Sequence, residues 1–116
     1  MEEIVLMAEN LAGKLIQSDI YKDYHEAKTD IKKRPDLLAK LKEYKSLNLR
    51  YQLAVIKENP ELSSFDDEKR LSSMYQQLVA DEKARQFLES EKKILILIEK
   101  IYDIIGTACK IELFDH

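Results

Sequence analysis

Apolar residues recur at helical spacing along almost the whole chain. Between Glu2 and Gln17, the positions Val5, Ala8, Leu11, Ala12, Leu15 and Ile16 fall on one stripe, and Glu2 and Glu3 stand where a helix dipole favours negative charge. This predicts a short amphipathic helix. Ser18 then offers an N-cap oxygen, and Ile20, Tyr24, Ala27 and Ile31 carry a second stripe through Asp19 to Lys33. Pro35 disfavours helix in the residue before it and is tolerated in a first helical turn, so it ends one helix and starts the next. A third helix, about 35–59, follows from Leu37, Leu38, Leu41, Tyr44, Leu47, Asn48, Tyr51 and Val55, and closes at Asn59-Pro60.

Residues 60–64 read as a loop in which Ser63 or Ser64 caps a fourth helix. That helix opens on Asp66, Asp67 and Glu68 and carries Leu71, Met74, Tyr75, Leu78 and Val79 as its stripe. Asp81 reads as the next N-cap, and an unbroken pattern covers about 82–105, with Gly106 as its terminator and 107–116 as a short tail able to dock through Ile111, Leu113 and Phe114. The expectation is an all-α five-helix bundle with two long helices, occupying 1–116 as a single domain.

The fifth helix departs from the usual pattern. Nine of the twelve residues from Ile94 to Ile105 are apolar. At about 100° per residue, all except Ile96 cover an arc of about 180°, where an ordinary surface helix needs little more than about 100°. The excess implies burial on two sides, in the centre of the bundle or against a second subunit. Ile96 projects oppositely, among Glu99, Lys100 and Asp103, where a lone chain exposes it. Ile94, Ile96, Ile98, Ile101 and Ile105 are therefore the candidate oligomer or partner interface.

Composition agrees with the pattern. Sixteen Leu, thirteen Glu and fifteen Lys against three Val and two Thr make long amphipathic helices, and two Gly and two Pro are too few to turn an all-β chain. The net charge of −3 argues against nucleic-acid or anionic-membrane binding through bulk charge. The longest apolar run, Ile94 to Ile98, is far short of the roughly 20 residues of a membrane span, and the start Met1-Glu2-Glu3 lacks a basic signal-peptide region. A cytoplasmic location is expected.

Searching for chemistry yields little. There is no glycine-rich phosphate loop, GxSxG, HExxH or CxxC, and no nucleophile–base constellation, so no enzyme is expected and no cofactor or metal is assigned. His25 has Tyr21 and Thr29 one turn away on either side and no carboxylate or thiol at i+3 or i+4, which leaves it without local metal-ligand spacing. Cys109, the single cysteine, cannot form an intramolecular disulfide. Between Lys22 and Arg50, nine basic residues face five acidic ones, a local charge of +4 centred on the Pro35 corner. Lys28, Lys32, Lys33, Arg34, Lys40 and Lys42 form a candidate basic contact patch for RNA phosphates or an acidic partner, with Tyr44 and Tyr51 as stacking candidates that share the apolar stripe of Leu37 and Leu41.

Several words along the chain, in order, resemble the YlbF/YmcA family of small all-helical bacterial proteins, the Com_YlbF domain. They begin with Leu11-Ala12-Gly13-Lys14-Leu15-Ile16-Gln17-Ser18, followed by Tyr21, Tyr24, Ala27 and the basic stretch before Pro35. The Asn59-Pro60-Glu61 break comes next, then Phe87-Leu88-Glu89-Ser90-Glu91 and the close Ile105-Gly106-Thr107-Ala108. The resemblance covers about Ala8 to Ala108. It implies a non-enzymatic regulator that forms dimers or higher oligomers and associates with family paralogues and ribonuclease Y. It also implies influence on competence, sporulation, biofilm formation and messenger RNA maturation. Some family members carry a cysteine-rich tail tied to an iron–sulfur complex, and this chain departs from them in having Cys109 alone. The expected function is a helical adaptor that oligomerises and presents a surface to protein partners, with an RNA-binding accessory factor using the 22–50 region as the alternative.

Overall fold

A computed structural model of the chain describes residues 1–57 and 65–110, which are 94% helical with no strand among them. Five helices follow in order: α1 (Glu2–Gln17), α2 (Asp19–Lys32), α3 (Pro35–Lys57), α4 (Phe65–Ala80) and α5 (Glu82–Cys109). The chain is an all-α protein of the expected architecture.

The corners are built by single residues. Ser18, in extended conformation, donates its hydroxyl to the Leu15 carbonyl at 2.6 Å and accepts the Tyr21 N–H at 3.2 Å, so one side chain closes α1 and opens α2. At the next corner the N–H groups of Lys33 and Arg34 bond back to Asp30 and Ile31, and α3 begins on Pro35, whose missing N–H costs nothing in a first turn. Asp81 caps α5 as expected, its Oδ1 accepting the N–H groups of Lys83 at 2.9 Å and Ala84 at 3.3 Å. The expected Ser63 or Ser64 cap, the last two residues of the 35–59 helix and the docking residues Ile111, Leu113 and Phe114 lie outside the described residues.

Two local expectations change. Gly106 does not terminate the last helix: α5 continues through Cys109 and ends at Lys110, whose φ of 56° is the left-handed conformation that closes helices. A helical glycine costs about 1 kcal/mol relative to alanine, too little to stop a helix on its own. On α3 the buried stripe runs through Leu37, Leu41 and Leu47 to Ala54, while the neighbouring Val55 is exposed. From Leu37 to Ala54 the stripe follows a repeat closer to 3.5 than to 3.6 residues, which carries the buried position from 55 back to 54.

The chain divides into two compact units. One comprises Lys28–Phe87, and the other joins Met1–Ala27 to Leu88–His116. Within the first, α3 and α4 pack against each other, and Ile31 and Leu41 are the largest fully enclosed side chains. Of the buried apolar residues among those described, the first unit holds Ile31, Leu37, Leu41, Leu47, Ala54, Leu71, Leu78, Ala84 and Phe87, and the second only Ala27 and Ile94. The well-packed core and the terminal unit are thus very unequal.

Candidate interaction surfaces

In the terminal unit, α1 contributes no buried residue at all. Helical rotation places Met7, Leu11, Ile4, Leu15 and Ala8 within an arc of about 100°, with Glu3 and Lys14 along one edge and Glu2 and Glu9 on the opposite face. Ile4, Met7 and Leu11 are 72%, 65% and 44% exposed. On α5 of the same unit, Leu95, Ile96, Tyr102, Ile104 and Ile105 are exposed as well. Leu95, Ile98, Tyr102, Ile105 and Cys109 alternate at spacings of three and four, as the seam of a coiled coil does.

Between α1, the start of α2 and α5 lies an open apolar groove of about 280 Å3, lined by Ala12, Leu15, Ile16, Tyr21, Tyr24, Glu91, Ile94, Leu95 and Ile98. Tyr21 holds two aromatic neighbours, Tyr24 at 6.4 Å and the stacked ring of His25 at 5.9 Å. Pattern reading placed Tyr24 on the stripe, but the stack of His25 on Tyr21 went unread, although their i, i+4 spacing permits it.

The predicted interface residues separate into two groups. Ile94 is 5% exposed and lines the groove beside half-buried Ile98, with Ile101 half-buried and Ile105 exposed further along α5. Ile96 stands apart from the other four on the opposite face, 54% exposed, as expected.

The basic patch is less available than its count suggests. Lys32, Lys33, Lys40 and Lys42 are exposed, as is Lys28, which already has an interaction partner. Arg34 donates from Nη1 to Asp81 Oδ2 at 2.7 Å and lies 3.8 Å from Asp36. The hydrogen bond from Arg34 holds the Asp81 carboxyl below its usual pKa, helped by the N–H groups of Ala84 and Lys83 against the opposing effect of burial. Lys83 reaches Asp30 at 3.1 Å, so two ion pairs of opposite polarity join the α2–α3 corner to the α4–α5 corner. Arg70 pairs with Glu43 at 2.8 Å, and Lys45 lies over the Phe87 ring at 5.0 Å. A cleft of about 330 Å3 between α3 and α4 contains Arg34, Lys40 and Arg70 but also Asp36, Glu43 and Asp81, a balanced set that attracts neither sign of charge strongly. Tyr44, a stacking candidate, instead packs against Tyr75 at 6.0 Å, and burial followed by that neighbour pushes its phenol above the usual value.

Among the described residues, no three His, Cys, Asp or Glu side chains gather as a metal site, and no helix is long and apolar enough to cross a membrane.

The family model described as "Control of competence regulator ComK, YlbF/YmcA" matches residues 4–109. The chain belongs to the Com_YlbF family. Members of this family are linked to competence regulation. The chain is also similar to a UPF0342 protein of Symbiobacterium thermophilum, 27% identical over 106 residues that cover 91% of this chain and 93% of the relative. No solved structure matches it. The family match takes in both units and includes α1 almost from its first turn.

Proposed function

We propose that this Com_YlbF chain is a non-enzymatic helical adaptor that self-associates and binds protein partners through the apolar surface of its terminal unit. The observation that carries this reading is the imbalance of burial: among the described residues that unit has only Ala27 and Ile94 as buried apolar residues, while most apolar side chains of α1 and, on α5, Leu95, Ile96, Tyr102, Ile104 and Ile105 are exposed. Contiguous exposed apolar surface on this scale marks interaction sites. Covering it contributes about 25 cal/mol per Å2, and the charged rims of the helices select the partner. Ile94, Ile96, Ile98, Ile101 and Ile105 are the assigned contact residues. The family resemblance supports paralogues and ribonuclease Y as partners and competence, sporulation, biofilm formation and messenger RNA maturation as the processes served.

The test pairs assembly with recovery of partners. Ile98→Glu with Ile101→Glu should reduce the sedimenting mass of the assembly. Because those two are half-buried, Leu95→Glu with Ile105→Glu provides a second variant at positions already exposed in the single chain. A folded variant of either kind that keeps the wild-type mass overturns the interface. Pull-down from native cytoplasm with and without nuclease then separates the classes: nuclease-resistant recovery of protein partners supports an adaptor, whereas recovery lost on nuclease treatment favours RNA contact through Lys32, Lys33 and Lys40.

A further inference from the structure

An acid sits in the apolar groove of the terminal unit. Glu91 is half-buried and is the only charged residue among the described side chains that line it. We propose that the groove receives a helix of a partner protein that carries a lysine or arginine within an aliphatic row, the basic group meeting Glu91 and the two tyrosines of the groove. The proposal rests on the partner binding proposed above and specifies the chemistry of the partner.

Helical rotation fixes where the acid stands. On α5, Glu91, Ile94, Leu95 and Ile98 fall within an arc of about 100°, with Glu91 and Ile98 almost in line two turns apart. Lys92 and Lys93 stand about 100° and 160° round the helix from Glu91, are exposed and do not line the groove. Leu15 and Ile16 of α1 supply further aliphatic lining, and Tyr21 and Tyr24, their ring centroids 6.4 Å apart, supply the aromatic part. At about 280 Å3, the groove falls just below the roughly 300–1,000 Å3 of small-molecule sites. Helix-in-groove recognition instead uses anchors at i, i+3 or i+4, and i+7, a span of about 10 Å, which is the length of α5 from Glu91 to Ile98.

The acid decides the chemistry of the occupant. Glu91 already has an interaction within the chain, and a carboxylate with about four lone-pair sites still has room for a further donor. A helix apolar throughout covers the groove but takes the carboxylate further from water without compensating its charge, which opposes binding. A hydroxyl or amide in the same place supplies a hydrogen bond and leaves the charge. Lysine and arginine supply the opposite charge, and their methylene stems pack against aliphatic walls such as Leu15 and Leu95. Tyrosine rings attract the same cations within about 6 Å of the ring centre, so Tyr21 and Tyr24 favour the same end group. The net charge of −3 adds attraction for a basic partner over an acidic one. Acid, rings and aliphatic walls thus select one kind of side chain, a long aliphatic cation.

The test uses helical peptides of about 20 residues, long enough to hold a helix in water. They are selected against the full chain from a library randomised at i, i+3, i+4 and i+7, and their affinities are measured by fluorescence anisotropy. Ile16→Asn, a neutral change at an exposed groove position, identifies the peptides that occupy the groove. Those peptides should carry Lys or Arg beside aliphatic anchors, bind Glu91→Gln about tenfold more weakly than wild type, and lose affinity as salt is added. Selection against Glu91→Lys should return Asp or Glu at the same position. Circular dichroism checks the helix content of each variant, and replacing the basic residue of the peptide by norleucine repeats the comparison on the wild-type chain with the fold untouched. Groove-bound peptides that lack a basic residue, or that bind Glu91→Gln as well as wild type, overturn the cation assignment and leave a partner site of another chemistry. A peptide that splits a wild-type dimer into single chains in sedimentation places a second copy in the groove and overturns the assignment to a different protein. If no selected peptide depends on Ile16, the reading of this surface as a partner site falls as well.

Discussion

Asp81 shows how much a single carboxylate does in this chain. One oxygen caps α5 through Lys83 and Ala84 and the other accepts from Arg34. Because the charged form is favoured in the fold, its pKa is lower there than in the unfolded chain. The resulting stabilisation is fully present above the unfolded value of about 3.9 and is lost as pH falls through the lower folded value. Asp81→Asn should therefore melt below wild type at neutral pH, with the gap narrowing once thermal melts are run below about pH 4. Asp81→Ala should melt lower still at neutral pH, since it loses the cap as well as the ion pair. A gap independent of pH down to about pH 2 would refute this assignment. At the other corner, Ser18→Ala should cost about 0.5–2 kcal/mol in chemical denaturation by removing the Tyr21 N–H acceptor. Asp81 and Ser18 were both legible as caps because a cap depends on residue type and immediate neighbours. The Arg34 partner was not, because it lies 47 residues from Asp81 and no local pattern encodes that approach.

Among the elements, helix identity was readable and the surroundings of each helix were not. Periodicity gave all five helices their type, yet the same periodic stripe is buried on α3 and, apart from half-buried Leu15, exposed on α1. A stripe records that a face seeks cover and is silent about where the cover comes from. The wide apolar arc of α5 came closer, since a helix apolar beyond one face needs more than one neighbour. Gly13 offers a test confined to α1. It is helical, half-buried, and a methyl group added there meets no atom within 4 Å. Gly13→Ala should therefore stabilise the helix by about 0.5–1 kcal/mol, by limiting the freedom of the unfolded chain and without a clash. Hydrogen exchange should show slower amide exchange in α1, with α3 and α4 unchanged. Loss of stability would mean that a neighbour absent from the single chain approaches Gly13 closely.

For the whole molecule, stability and assembly are linked. The Lys28–Phe87 unit has most of the buried apolar residues, so it is expected to resist unfolding on its own account, whereas α1 has none. An isolated 16-residue helix is marginal in water, so the order of α1 depends on what covers its apolar arc. If that cover is another copy, folding becomes concentration-dependent. For a dimer unfolding to two separated chains, each tenfold rise in protein concentration adds about 1.4 kcal/mol to the free energy of unfolding. The melting temperature should accordingly rise with concentration, and the helical signal lost first on dilution should belong to α1. Leu95→Glu with Ile105→Glu should flatten that dependence. A wild-type melting temperature constant over a hundredfold range of about 1–100 μM would place assembly outside that range and remove self-association as the source of cover for α1 there.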